Sequence, residues 1–166
     1  MTATRVFVHG LESTGRGTKG MYFRERYPDM IIEDYTGSLA ARLIKLEADL
    51  GGKTELILVG SSYGGLMAAI YACRHPDRIR RLVLLAPAIN LDEFTPYRGR
   101  TLTCPVHLYH GRRDDVVPPE EVRPVAEAVF ANLHYHLVED DHSLHDNFPL
   151  LPWTELLDDR PGEGRA

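Results

Sequence analysis

A chain of 166 residues is one domain's worth, enough to bury roughly 70% of its unfolded surface without disulfides or a metal. Hydrophobic residues make up 43% and charged residues 26%, which excludes a disordered chain. The 19 basic residues face 24 acidic ones for a net charge of −5, and no Lys/Arg stripe marks a nucleic-acid partner.

Short apolar runs alternate with helical patterns along nearly the whole length. Val6-Phe7-Val8 reads as the first strand, followed by a short helix near residues 22–27 and a second strand at Met30-Ile31-Ile32. Residues 38–50 read as a helix: Ser38 suits the N-cap, Leu39, Leu43, Leu46 and Leu50 recur at helical spacing, and Gly51-Gly52 ends it. Leu56-Ile57-Leu58-Val59 is the third strand, and residues 63–75 form a helix stopped by Pro76. Leu82-Val83-Leu84-Leu85 and Val106-His107-Leu108-Tyr109 follow as strands, then a helix over 119–130 with Pro119 in its first turn. The run from His134 to Val138 alternates, His134 and His136 on one side and Tyr135 and Leu137 on the other, which predicts an edge strand with one wet face. A last helix is expected after Ser143, and residues 158–166 read as a polar tail rich in Gly and charge, leaving 1–157 as one domain. Unbroken apolar strands are buried on both faces and therefore parallel, so the pattern predicts a three-layer α/β/α sandwich of about six mostly parallel strands.

The most informative stretch is Gly60-Ser61-Ser62-Tyr63-Gly64, a Gly-x-Ser-x-Gly between a buried strand and a helix. A serine there sits on a tight, strained turn where side chains two residues before and two residues after it would clash, with its oxygen held out above the sheet. The helix start beneath it favours developing negative charge. Ser61 lacks the symmetric glycines and is expected to point into the fold. No G-x-G-x-x-G opens any helix, which disfavours a dinucleotide site.

A serine nucleophile needs a base, and the base needs an orienting carboxylate. In a parallel sheet both come from loops at the carboxyl ends of strands, where Ser62 already lies. The loop after the fifth strand holds Asp114 and Asp115, and the loop after the sixth holds Asp140, Asp141, His142 and His145. Chemistry alone leaves Asp114 or Asp115, and His142 or His145, open. A metal held by Asp140, Asp141, His142 and His145 is the weaker reading of the second loop, because no partner ligands stand elsewhere.

His9-Gly10 after the first strand, the Ser62 turn, Gly111-x-x-Asp114-x-x-Val117-Pro118 and Asp141-His142-Ser143-Leu144 come in the order of the α/β-hydrolase superfamily. The chain resembles that superfamily's small, nearly cap-less serine hydrolases and esterases. The resemblance selects Asp114 and His142 to act with Ser62. It also implies an oxyanion hole from the backbone N–H of Leu11, beside that of Tyr63, the residue after the nucleophile. It implies that the leading hairpin is missing and that the 17 residues from Pro87 to Thr103 are too few for a cap. An open site bordered by Ile89, Leu91, Phe94 and Tyr97 is then expected, with Phe94 and Tyr97 as substrate-binding residues and a preference for short acyl groups. Glu12 is expected to face solvent, His9 to shape the first loop by hydrogen bonding, and the Gly-rich loop 13–20 to carry Arg16 and Lys19.

These readings converge on a hydrolase that cleaves a carboxylic ester of a small or exposed substrate through an acyl-enzyme. A thioesterase or peptidase-like hydrolase is the alternative with the same residues, and a non-catalytic binding protein on the same fold is the alternative of a different class. The mechanism calls for no cofactor and no metal; the expected partner is a small acyl substrate, with neither nucleic acid nor membrane. Met1-Thr2-Ala3-Thr4 runs almost directly into an apolar stretch, leaving no room for a signal peptide, and Cys73 and Cys104 form no disulfide framework. A cytoplasmic location is the expectation.

Overall fold

Apolar runs of about five residues bounded by Gly, Pro or charge are too short for a helix and long enough to cross a sheet, and each of them does so. A computed structural model of the protein describes residues 2–158. The elements run β1 (Thr4–Val8), α1 (Thr18–Arg26), β2 (Ile31–Ile32), α2 (Leu39–Leu50), β3 (Leu56–Ser61), α3 (Tyr63–Arg74), β4 (Ile79–Leu85), β5 (Leu102–Gly111), α4 (Pro119–Val129), β6 (Phe130–Val138) and α5 (Trp153–Leu156). The stretch read as a tail lies, from residue 159 on, outside the described residues.

The six strands form one sheet in the order β2-β1-β3-β4-β5-β6, and every neighbouring pair is parallel. Alternate residues of the central strands enter two separate cores. Val6, Val8, Leu58, Leu82, Leu84 and Leu108 pack with α2, α3 and α4 on one face. Phe7, Ile57, Val59, Val83 and Leu85 pack with Phe23 of α1 and with Trp153 and Leu156 of α5 on the other. The sandwich is therefore three-layered, as the continuous apolar runs require. β6 is an edge strand, with His134 and His136 set against Tyr135 and Leu137 in strict alternation. The β4–β5 connection holds only a 3₁₀ turn, Asp92–Tyr97. Among the described residues, no helix is long and apolar enough to cross a membrane.

Ser38 caps α2 as its sequence suggests, its hydroxyl accepting from Ala41 N–H at 3.2 Å, and Gly51 ends the helix at φ 51°. Two expectations need correction. The first helix begins at Thr18, so Lys19 and Gly20 lie in its first turn and not in the preceding loop. Gly20 permits this because a Cβ there would meet the Gly15 carbonyl oxygen at 2.1 Å, where the loop backbone lies against the helix. No helix starts directly after Ser143. Leu144 turns the chain at φ 54°, and Pro149 and Pro152 restrict the next segment to a 3₁₀ turn, Phe148–Leu150, and the single turn of α5.

In this topology β1 sends the chain outward to β2 and then back across to β3, so the crevice between the ends of β1 and β3 is a switch point where loops diverge. The loops after β1, β3, β5 and β6 all open on that same edge.

Candidate active site

β3 ends at Ser61 and α3 begins at Tyr63, so one residue converts strand into helix. Ser62 does this at φ 56° and ψ −115°, a conformation that costs a non-glycine residue on the order of 1–3 kcal/mol. Its N–H donates to the Leu85 carbonyl, and its own carbonyl accepts from Gly65, Leu66 and Ala88 N–H groups. Backbone meets backbone around it. A Cβ at Gly60 would lie 2.4 Å from the Gly64 carbonyl oxygen, and one at Gly64 only 2.1 Å from that of Val8. The two glycines of the motif are thus steric requirements of the turn.

The loops after β5 and β6 are joined at their bases. Arg112 N–H donates to the Val138 carbonyl and Arg113 N–H to that of Asp140, extending the β5–β6 ladder past the strand ends. A Cβ at Gly111 would fall 2.4 Å from the Asp141 carbonyl oxygen. This close crossing brings Asp114 and His142 together. Asp140, buried at 1% exposure, shapes the second loop from within, accepting from the Asp141 and Asn147 N–H groups and from Asn147 Nδ2. Burial by itself would raise its pKa, but these donors hold it below the ordinary carboxylate range.

Three predicted side chains meet in one line. His142 Nε2 lies 3.0 Å from Ser62 Oγ, and His142 Nδ1 lies 2.8 Å from Asp114 Oδ2. A carboxylate only accepts, so Nδ1 carries the ring proton and Nε2 offers its lone pair to the Ser62 hydroxyl. The Asp114 side chain is fully buried and that of His142 is 24% exposed. Asp114 Oδ1 accepts from the N–H groups of Val116 and Val117 at 2.9 and 2.8 Å, which anchors that oxygen. The neighbours left open by chemistry alone take no part: Asp115 and His145 are both exposed. Asp141 is occupied by the Ser143 hydroxyl and the His145 N–H. Among the described residues, no three His, Cys, Asp or Glu side chains gather as a metal-holding group.

Sequence reasoning assigned no role to His110, the last residue but one of β5. It is fully buried, and its Nε2 lies 3.1 Å from Asp114 Oδ2 and 2.8 Å from the Val117 carbonyl oxygen. The available signal was its position four residues before Asp114 at a strand end. His9 does brace the first loop. It accepts the Tyr35 N–H at Nε2, 2.9 Å, so its Nδ1–H donates to the Gly10 carbonyl at 2.7 Å.

A cleft of about 820 Å³ opens over Ser62 and His142. Leu11 and Tyr63 both line it. Tyr63 N–H is the first of α3, so it lies outside the helix's own hydrogen-bond ladder and is free to face the cleft. Glu12 is exposed at the rim. Ser61 also reaches the cleft wall, contrary to expectation. Of the four residues expected to border the site, only Leu91 does so. Ile89 and Phe94 are fully buried in the core. Phe94 stacks on Tyr97, whose hydroxyl accepts from Arg74 Nε at 3.0 Å, so Phe94 and Tyr97 do not form the substrate pocket. The apolar wall comes instead from Phe7, Tyr22, Leu144 and Phe148, brought there by β1, α1 and the segment after His142. Lys19 lines the cleft and donates to the Ser143 carbonyl at 2.6 Å; burial lowers its ammonium pKa, with Asp141 and Asp140 opposing. Arg16 is exposed and outside the cleft.

Residues 12–102 match the family described as alpha/beta hydrolase fold, a span that includes Ser62 and stops short of Asp114 and His142. The chain is 33% identical over 66 residues to homoserine O-succinyltransferase of Comamonas testosteroni, a match that covers 40% of this chain and only 15% of the length of that relative. Solved structures share the fold at low identity. Alpha/beta hydrolase domain-containing protein 10 from mouse superposes with a TM-score of 0.71 at 20% identity, over 84% of this chain and 82% of that one. Est1E from Butyrivibrio proteoclasticus gives 0.72 at 16%, over 94% and 86%. A monoacylglycerol lipase of Paleococcus ferrophilus gives 0.69 at 16%, over 94% of each chain.

Gly64→Ala drives a Cβ into the β1 backbone, and neither strand nor helix can yield without moving Ser62. The expected outcome is a loss of about 4 kcal/mol or more in equilibrium denaturation, or failure to accumulate folded protein. A fully stable variant contradicts the close-approach account.

Proposed function

Since the chain belongs to the alpha/beta hydrolase family, we propose that it is a serine hydrolase acting on carboxylic esters, with Ser62 as nucleophile, His142 as general base and acid, and Asp114 as the group that orients His142. The observation that carries this reading is the continuous hydrogen-bonded line Ser62–His142–Asp114, starting on a strained turn that lines a cleft. As Ser62 Oγ attacks the ester carbonyl carbon, its proton passes to His142 Nε2, and the imidazolium is held by the Asp114 carboxylate. The backbone N–H groups of Leu11 and Tyr63 receive the oxyanion of the tetrahedral intermediate, each such donor contributing about 3 kcal/mol. His142 then protonates the leaving alcohol, and a water activated by the same imidazole releases the acid. The residues in this scheme supply every proton transfer themselves.

The cleft supports a narrower substrate class within this reading. Its volume and its wall of Phe7, Tyr22, Leu144 and Phe148 suit an apolar acyl or aryl group larger than acetyl, which revises the expectation of short acyl groups. Chain-length and leaving-group panels distinguish the members of the class: p-nitrophenyl esters from acetate to octanoate, matched thioesters, and aminoacyl anilides. Highest kcat/KM is expected on esters of intermediate chain length. A preference for the thioester or the anilide replaces the ester assignment with one of those activities, and no turnover of any of them favours the binding-protein reading.

An active-site-directed fluorophosphonate is expected to label the wild-type chain once, at Ser62, and to leave Ser62→Ala unlabelled, with ester turnover falling at least about 10³-fold in that variant. Label retained by Ser62→Ala refutes the nucleophile. Because His142 acts as a base in its neutral form, kcat/KM is expected to decline as the pH is lowered from about 8 to 5. A flat profile through that interval is incompatible with His142 as the base.

A further inference from the structure

The proposed chemistry leaves one buried imidazole unused. His110 sits beside Asp114, fully buried and outside the cleft lining, and shares Asp114 Oδ2 with His142: Nε2 of His110 is 3.1 Å away and Nδ1 of His142 is 2.8 Å away. The second neighbour of His110 Nε2 is the Val117 carbonyl oxygen at 2.8 Å. Both neighbours are acceptors, so Nε2 carries a proton and donates. The other ring nitrogen, Nδ1, is buried with no partner among the described residues. A second proton placed there would create a buried cation whose new N–H has nothing to donate to, which is costly.

We propose that His110 is a positioning residue, a neutral Nε2–H imidazole that clamps Asp114 from within the fold, limits how strongly that carboxylate holds the His142 imidazolium, and leaves His142 as the one imidazole of the pair that takes up a proton. The inference rests on the proposed roles of Ser62, His142 and Asp114. It follows from counting donors. Asp114 receives two backbone N–H groups on Oδ1, the His142 N–H on Oδ2, and there also a share of the His110 N–H, whose nearer acceptor is the Val117 carbonyl oxygen, so the charge available to His142 is divided. Remove the His110 donor and Oδ2 has a single partner left, which then binds the imidazolium more tightly. The carboxylate is also freed to rotate about its remaining contacts, which loosens the aim of Nδ1.

The electrostatics agree with the geometry. Burial pushes the His110 imidazole below the ordinary histidine range, and a charged His142 pushes it the same way; the Val117 carbonyl and the Asp114 carboxylate pull upward without prevailing. Asp114 and His142 are the titratable groups that act on it, while Leu137, its register partner on β6, carries no charge.

The test compares His110→Leu, which removes the donor, with His110→Gln, whose amide N–H reaches as far as Nε2. His110→Asn, whose amide stops at the Nδ1 position, replaces Leu if Leu does not fold. Long-range ¹H–¹⁵N spectra of the full chain, labelled at histidine, follow the two rings separately without substrate. In the wild type His110 is expected to keep the neutral Nε2–H pattern throughout about pH 5–8, whatever the protonation state of His142. In His110→Leu or Asn the His142 midpoint is expected to move to higher pH by about 0.5–1 unit, with the acid limb of kcat/KM moving in step and kcat on the plateau falling about five- to tenfold at little changed KM. Gln restores the midpoint. A midpoint that stays put or falls in the Leu and Asn variants, or a wild-type His110 that protonates together with His142, overturns the inference. The spectra decide it even if Ser62→Ala retains fluorophosphonate label, so loss of the hydrolase reading and loss of the His110 role are separate outcomes.

Discussion

Ser62 holds a backbone conformation that an L-residue avoids, and three polypeptide segments keep it there by lying too close together for side chains. β1 passes the start of α3 at Gly64, β3 meets the same helix at Gly60, and Pro87 after β4 presses on Gly65, where a Cβ would come within 2.8 Å. The strain at φ 56° persists because the Ser62 N–H and carbonyl are both engaged, by Leu85 and by Gly65, Leu66 and Ala88. The position of the hydroxyl is thus set by backbone packing in the centre of the sheet rather than by the side chains that contact it. The nucleophilic role proposed for Ser62 needs such placement, since catalytic geometry tolerates displacements of only a fraction of an ångström.

The same principle operates one layer out. Asp114 and His142 come from separate loops 28 residues apart in sequence, yet those loops behave as one piece because the β5–β6 ladder runs on through Arg112 and Arg113 and because Gly111 lets the two backbones touch. Within that piece two buried carboxylates divide the work. Asp140 satisfies the amides of its own loop, and Asp114 faces the imidazoles. Each would be costly to bury alone; each is surrounded by donors instead. His110 belongs to this arrangement, and its Nδ1, without a partner among the described residues, is the unbalanced position in an otherwise satisfied local network.

The cleft draws on elements beyond the strand ends. Its floor is made by the strand-end loops, but much of its apolar wall is contributed by α1 and the segment around Phe148, where Phe23 meets Phe148 and Trp153 edge-to-face and ties that wall to the second core. Where a cap would be inserted, a 3₁₀ turn packs Phe94 inward against Tyr97. The apolar wall of the cleft therefore lies on the α1 side of the site, and the β4–β5 connection serves as a cover on the core.

Much of this was legible in the residue order. Strand runs bounded by Gly and Pro, the Ser38 cap and Gly51 stop of α2, and a serine between paired glycines are local signals, because each reflects what one or two residues can do to their own backbone. Together they determined a parallel three-layer fold and nominated Ser62. The choice of Asp114 over Asp115, and of His142 over His145, came from resemblance, since nearby residues of one type differ only in which way a folded loop turns them. What only the tertiary structure decided depends on distant segments meeting. Phe94 and Tyr97 look like pocket residues until the core claims them, the wall comes from a helix whose start is hidden in glycines, and His110 gains its meaning only when Asp114 folds back beside it. Burial and donor counting are properties of a neighbourhood, and a neighbourhood exists only after the chain has closed.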